Sequence, residues 1–207
     1  DGAPLDFIPI AEETGLIYPI GKQVVRQACA QLEQWRSHWP GRALSIAVNV
    51  SPHQFRHPEF IPSVAAAVAE YGVVADALII EITEGTMLDN IDLVVARMRD
   101  LKALGVGLAV DDFGTGYSSL YYLKNLPLDE IKIDQSYVRD LLEDPNDAAI
   151  VESIIAIARN LKLRTVAEGV ETAAQAEALR AMGCVVHQGY FYSRPLPLAE
   201  FEAFAGL

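Results

Sequence analysis

Parallel strands joined by helices and closed as a (β/α)8 TIM-like barrel are what the sequence predicts, on three observations. Apolar runs of strand length alternate with stretches of helical periodicity almost to the C terminus. The helical stretches stop repeatedly at glycine. Nearly every apolar run ends in a polar residue. A TIM barrel builds its active site from the C-terminal ends of several strands, whereas an open doubly wound sheet gathers its ligand at one crevice, so polar tips on all the strands favour the barrel.

The elements follow in order. Residues 17–39 have apolar positions at helical spacing, and a strand at 44–50 brings up Asn49. The Ala-rich stretch 62–71 is a helix ending at Gly72, and the strand 78–82 carries Glu81 to its tip. A helix over 92–104 stops at Gly105, and the strand 107–110 leads into Asp111 and Asp112. The strand 130–133 holds Lys132 and leads to Asp134. After the Asp144-Pro145-Asn146 turn comes a helix over 148–161, then a strand at 164–167 leading to Glu168. A helix over 172–182 opens on a Thr172 cap and closes at Gly183, and a weak strand at 185–186 precedes Gln188. A complete barrel of this kind has eight strands in roughly 250 residues. Six strands in 207 residues lead to the expectation of one domain, 1–207, lacking the first one or two strands.

Composition narrows the function. With 51% hydrophobic and 21% charged residues the chain can bury a sizeable core. A formal charge of −12 argues against a nucleic-acid polymer as partner, which needs clustered Lys and Arg. Cys29 and Cys184 lie far apart in apolar contexts and read as reduced core thiols. No apolar run reaches the ~18 residues of a membrane span, so no direct membrane contact and a cytoplasmic location are expected.

The chemistry sits where the strands stop. Asn49, Glu81, Asp111, Asp112, Lys132, Asp134, Glu168 and Gln188 all occupy strand tips. A single carboxylate there is as well explained as a helix cap or a loop ion pair. Five or six on one rim are different, because converging like charges raise one another's pKa unless cations are bound. Oxygen ligands with one amide suit Mg²⁺ or Mn²⁺. The adjacent pair Asp111 and Asp112 can point one carboxylate into the site and one aside, so that one bridges two metals. Gly114-Thr115-Gly116 begins like a dinucleotide fingerprint, but the third position is Ser119, and two aspartates would face a pyrophosphate without a cation. The nicotinamide reading is set aside.

In this order, Asp6-Phe7-Ile8-Pro9-Ile10-Ala11-Glu12-Glu13, Asn49-Val50-Ser51-Pro52, Glu81-Ile82-Thr83-Glu84, Asp111-Asp112-Phe113-Gly114-Thr115-Gly116, Lys132-Ile133-Asp134, Ala167-Glu168-Gly169-Val170-Glu171 and Gln188-Gly189-Tyr190, the chain resembles the EAL-type cyclic di-GMP phosphodiesterases along essentially its whole length. The resemblance implies an EAL-type barrel that hydrolyses cyclic di-GMP to linear pGpG with two Mg²⁺ or Mn²⁺ ions, in bacterial second-messenger signalling. It makes Asn49, Glu81 and Asp111 ligands of the first metal, and places Asp111, Asp112 and Glu168 at or near the second. Lys132 matches a lysine that orients or deprotonates the attacking water, with Glu168 and Glu171 also in the catalytic set. Gln188, Asn49 and Asp134 match substrate-binding positions, and Glu84 matches a glutamate anchoring the loop 112–119. The helix after that loop, near 117–124, matches a segment close to a dimer interface, so a homodimer is implied. Upstream sensor or GGDEF-type domains are the expected companions.

The departure from the family pattern is upstream, where no Glu-Ala-Leu strand precedes Asp6. Since the glutamate of that strand ligates the first metal, the chain alone is expected to bind metal poorly. Two other readings stay open. A non-catalytic cyclic di-GMP receptor would normally show eroded ligands, and a structural module would leave the acids as solvated loop ends without metal.

Overall fold

Six strands form among the described residues of the computed structural model, which cover 4–74, 76–87, 91–116 and 123–207. The chain divides into two compact units, one of residues 1–109 and 118–127 and one of residues 110–117 and 128–207.

In the first unit, α1 (Pro4–Glu13) leads into α2 (Ile17–His38), β1 (Ile46–Asn49), α3 (Pro52–Arg56) and α4 (Phe60–Tyr71). Then come β2 (Leu78–Thr83), a 3-10 turn at Glu84–Met87, α5 (Ile91–Ala103) and the start of β3 (Gly107–Phe113). The face of α2 that buries Ile17, Gly21, Val25, Ala28, Cys29, Leu32 and Trp35 recurs every three or four residues, as a core-facing helix must. It packs on α4 and β1. Strand β1 pairs in parallel with β2, placing Asn49 opposite Glu81. Three features went beyond the sequence expectation: α1, which has Pro9 inside it, the start of α4 at Phe60, and the short helix α3. The Ser51 hydroxyl caps α3 by accepting from the Gln54 N–H at 3.2 Å, with Pro52 in its first turn.

In the second unit, β3 ends at Phe113 and is followed by β4 (Glu130–Ile133), α6 (Gln135–Arg139), α7 (Pro145–Leu161) and β5 (Arg164–Ala167). After these come α8 (Ala173–Met182), β6 (Val186–His187) and α9 (Leu198–Ala205). Strands β4, β5 and β6 pair in parallel in chain order, so their C-terminal ends share one edge. The expected strands at 130–133 and 164–167 form at those bounds. Helix α7 starts earlier than expected, at Pro145, because Asp144 accepts from the Asn146 N–H at 2.8 Å and proline suits the first turn. It buries Val151, Ile154, Ile155 and Ala158 against β4 and β5. The last strand lies one residue later than expected, since Val185 is exposed and the Cys184 N–H closes the end of α8 on Leu179 at 2.9 Å. Both cysteines are free and buried, and burial pushes the Cys29 thiol up to about 11.

The turn after β6 is wedged against the β5 end. Gln188 donates its N–H to the Ala167 carbonyl at 2.8 Å and accepts from the Val170 N–H at 3.0 Å, so its backbone is pinned on both sides of Glu168. A Cβ at Gly189 would lie 2.2 Å from the Val170 oxygen and 2.3 Å from its nitrogen. Backbone atoms held by hydrogen bonds cannot yield to that contact. We expect Gly189→Ala to destabilise the chain by about 4 kcal/mol or more, visible as a fall in melting temperature. An unchanged melting temperature would mean that the turn is not held as described.

Candidate metal centre at the strand ends

The second unit gathers four charged side chains at its strand ends. Lys132, 4% exposed, lies on β4 with its strand neighbours Ile131 and Ile133 fully buried. Its ammonium donates to Asp111 Oδ1 at 2.9 Å and to Glu168 Oε1 at 2.8 Å. Carboxylate oxygens of Asp111, Asp112 and Glu168 all lie within 4.8 Å of one another. Glu168 is held at the end of β5 by its N–H donating to the Ile133 carbonyl at 3.1 Å.

Both aspartates of the adjacent pair come to the cluster, although a strand terminus can point one of two neighbours aside. Successive side chains of a regular strand face opposite ways, yet both aspartates join the cluster. Asp112 leaves the extended conformation, with φ +53°, and its N–H donates to Asp111 Oδ1 at 3.1 Å. The left-handed backbone turns the second carboxylate back beside the first. Such a conformation in a non-glycine residue is held by its surroundings. Here the Thr115 hydroxyl and N–H both donate to the Asp112 carbonyl, at 2.9 and 3.4 Å. The next turn is tied down by the Tyr137 hydroxyl, which donates to the Gly114 carbonyl at 2.5 Å.

Asp134 stands behind the pair. Its carboxylate caps α6, accepting from the Ser136 N–H at 2.8 Å and from the Ser136 hydroxyl. Burial, with Asp111 and Asp134 nearby, pushes the Asp112 carboxyl up to about 6, against a weaker downward pull from Lys132. In that protonated form Asp112 donates to Asp134. Burial would raise Asp134 too, but hydrogen bonds from Ser136, Asp112 and the Gln135 amide together hold it below the usual carboxylate range. The cluster has more negative charge than its one ammonium balances, which fits a divalent cation and the hard oxygen donors it prefers.

Glu171 precedes the capping box of α8 and is exposed, its N–H donating to Gln175 Oε1 at 2.9 Å. In the first unit, Asn49 and Glu81 are side by side in register, Asn49 exposed and Glu81 buried. Glu84, 2% exposed, opens the 3-10 turn. Of the loop it was expected to anchor, Tyr117, Ser118 and Ser119 lie outside the described residues, as does most of the helix expected near 117–124.

Sequence reasoning missed three supporting residues. Ser136 and Tyr137 were invisible because their roles depend on α6, too short to show periodicity. Gln175 had a signal in the Thr-x-x-Gln capping box at 172–175. Its side-chain amide also donates to the carbonyls of Val138 and Arg139, at 3.1 and 3.2 Å, tying α8 to the end of α6.

Comparison with known proteins places this arrangement in company. The family model described as EAL domain matches residues 2–195. The bifunctional diguanylate cyclase/cyclic di-GMP phosphodiesterase MucR of Pseudomonas aeruginosa is 44% identical over 204 residues, 97% of this chain and 29% of that protein. The cyclic di-GMP phosphodiesterase NbdA of the same organism is 42% identical over 202 residues, 97% of this chain and 26% of its own length. A solved structure of the PaMucR phosphodiesterase in complex with c-di-GMP superposes with a TM-score of 0.92 at 44% identity, covering 96% of this chain and 80% of that one. The chain thus spans between a quarter and a third of these curated relatives. Among the described residues no helix is long and apolar enough to cross a membrane.

Proposed function

Because this chain belongs to the EAL domain family and has its fold, we propose that it hydrolyses cyclic di-GMP to linear pGpG at the strand-end acids. The observation that carries the reading is the grouping of Asp111, Asp112 and Glu168 around Lys132. Three carboxylates so close, with a single ammonium among them, suit a divalent cation and through it a phosphodiester.

Asp111, Asp112 and Glu168 are the ligands we assign in the second unit, and Asn49 and Glu81 those in the first. Bound there, two Mg²⁺ or Mn²⁺ ions supply Lewis-acid activation of a water and positive charge for the attacking and leaving oxygens. Lys132, fixed between two carboxylates, holds the attacking water or takes its proton. Asp134 steadies Asp112 and, with Gln188 and Asn49, contacts the substrate. Glu171 completes the catalytic set, and Glu84 steadies the loop at 112–119. A homodimer, a link to sensor or GGDEF-type domains, and a cytoplasmic setting belong to the same reading.

The test is product analysis with the full-length protein that carries this chain. We expect pGpG with Mg²⁺ or Mn²⁺, loss of turnover in excess chelator, and inhibition by Ca²⁺, which prefers longer bonds and looser geometry. Cyclic di-GMP bound but left intact under all metals would make the domain a receptor. Full turnover in excess chelator would exclude the metal centre.

A further inference from the structure

Half-buried on α6, Tyr137 carries no charge to set against the strand-end acids, yet its ring and its hydroxyl both meet the turn that follows Asp112. The hydroxyl donates to the Gly114 carbonyl at 2.5 Å. The ring lies against the same residue, since a Cβ at Gly114 would fall 3.0 Å from Tyr137 Cε2 and 3.2 Å from Ile154 Cδ1 of α7. Gly114 has φ +103°, so backbone conformation and space both call for glycine there.

The consequence lies two residues earlier. Asp112 is held at φ +53°, a conformation that a non-glycine residue keeps only when its surroundings over-determine it. Relaxed to extended strand, Asp112 would face away from Asp111, and the centre would lose a carboxylate. The hydrogen bonds from Thr115 to the Asp112 carbonyl lie within the turn and move with it. That of Tyr137 fastens the turn to a separate helix. Helix α6 is a firm support, because it packs on α7 and its Val138 and Arg139 carbonyls accept from the Gln175 amide of α8 at 3.1 and 3.2 Å.

We propose that Tyr137 is a positioning residue of the metal centre, a role that rests on the assignment of Asp112 as a ligand. By holding Gly114, its hydroxyl keeps Asp112 in the ligating conformation and so raises the affinity for the cation. Tyr137 acts through Asp112 and needs no contact with cation or substrate. When only a fraction of molecules hold Asp112 in place, the apparent dissociation constant rises by the inverse of that fraction. A cation that engages Asp112 pulls the turn back in its own favour. The loss is therefore one of affinity, and enough metal repairs it.

Tyr137→Phe keeps the ring and removes the hydroxyl. Calorimetric titration of the full-length protein that carries this chain with Mn²⁺, with Asp111→Asn as the background for any other site, should show binding at least about tenfold weaker in Tyr137→Phe. The Mn²⁺ concentration for half-maximal turnover should rise by the same factor, while kcat at saturating Mn²⁺ stays within about twofold of wild type. Tyr137→Leu, which removes the ring as well, should bind Mn²⁺ no better and melt earlier. A Tyr137→Phe variant that melts early but binds Mn²⁺ like wild type would show the hydroxyl to be structural only and overturn the proposal. A turnover loss that saturating Mn²⁺ does not recover would overturn it too. Mn²⁺ binding weakened as expected, beside a wild type that forms no pGpG, would uphold the role of Tyr137 and refute hydrolysis instead. A wild type that binds no more Mn²⁺ than Asp111→Asn would overturn both.

Discussion

Asp111→Asn is expected to lower turnover by about a thousandfold, roughly 4 kcal/mol of transition-state stabilisation, in the full-length protein that carries this chain. Asp111 meets the Lys132 ammonium, the Asp112 N–H, and carboxylate oxygens of Asp112 and Glu168 within 4.8 Å. An amide keeps the shape but loses the charge on which both Lys132 and a cation depend. Asp134→Asn is the matched control. Asparagine caps a helix about as well as aspartate, so α6 should persist, and a group acting behind the ligands costs about 10–100-fold. Equal losses in two folded variants would mean that the centre is wrongly assigned.

Lys132→Met is expected to cost stability on the same scale as Gly189→Ala. The ammonium is buried between Asp111 and Glu168, at 2.9 and 2.8 Å. Removing one partner of a buried ion pair costs about 3–5 kcal/mol, because the other charge is left uncompensated, and here two carboxylates are left. For a chain of this size that is a fall of about 6–20 °C in melting temperature. Saturating Mn²⁺ should recover part of the loss and should raise the melting temperature of the variant more than that of the wild type, since a cation then replaces the ammonium. An unchanged melting temperature, or equal Mn²⁺ shifts, would show that Lys132 is not the cluster's neutralising charge.

How much of this was legible in the sequence follows from which forces set each element. Strands β4 and β5 were found at their observed bounds because buried parallel strands leave short apolar runs with sharp ends. The long helix α2 was found through its repeat. Helices α3 and α6 escaped, being five residues each, shorter than any period can reveal. What announces such helices is a cap, Ser51 or Asp134, and a cap is just as readily a turn. In the candidate site the residue types were legible, but their arrangement was not. Nothing in Asp111-Asp112 foretells φ +53° at the second residue, which depends on Thr115 and the surrounding turn. The pairing of Lys132 with Asp111 and Glu168, residues from three different strand ends, is likewise a product of sheet register.

In the proposed reaction, water activated among Asp111, Asp112, Glu168 and Lys132 attacks phosphorus and expels the 3′ oxygen of cyclic di-GMP. Turnover by the full-length protein that carries this chain in ¹⁸O-labelled water with Mn²⁺, followed by mass spectrometry of the product, decides whether water is the nucleophile. The expected product is pGpG carrying one ¹⁸O in its 5′ phosphate, lost in Asp111→Asn. Unlabelled product, as attack by the ribose 2′ hydroxyl would give, or labelled pGpG formed undiminished by Asp111→Asn, would contradict it.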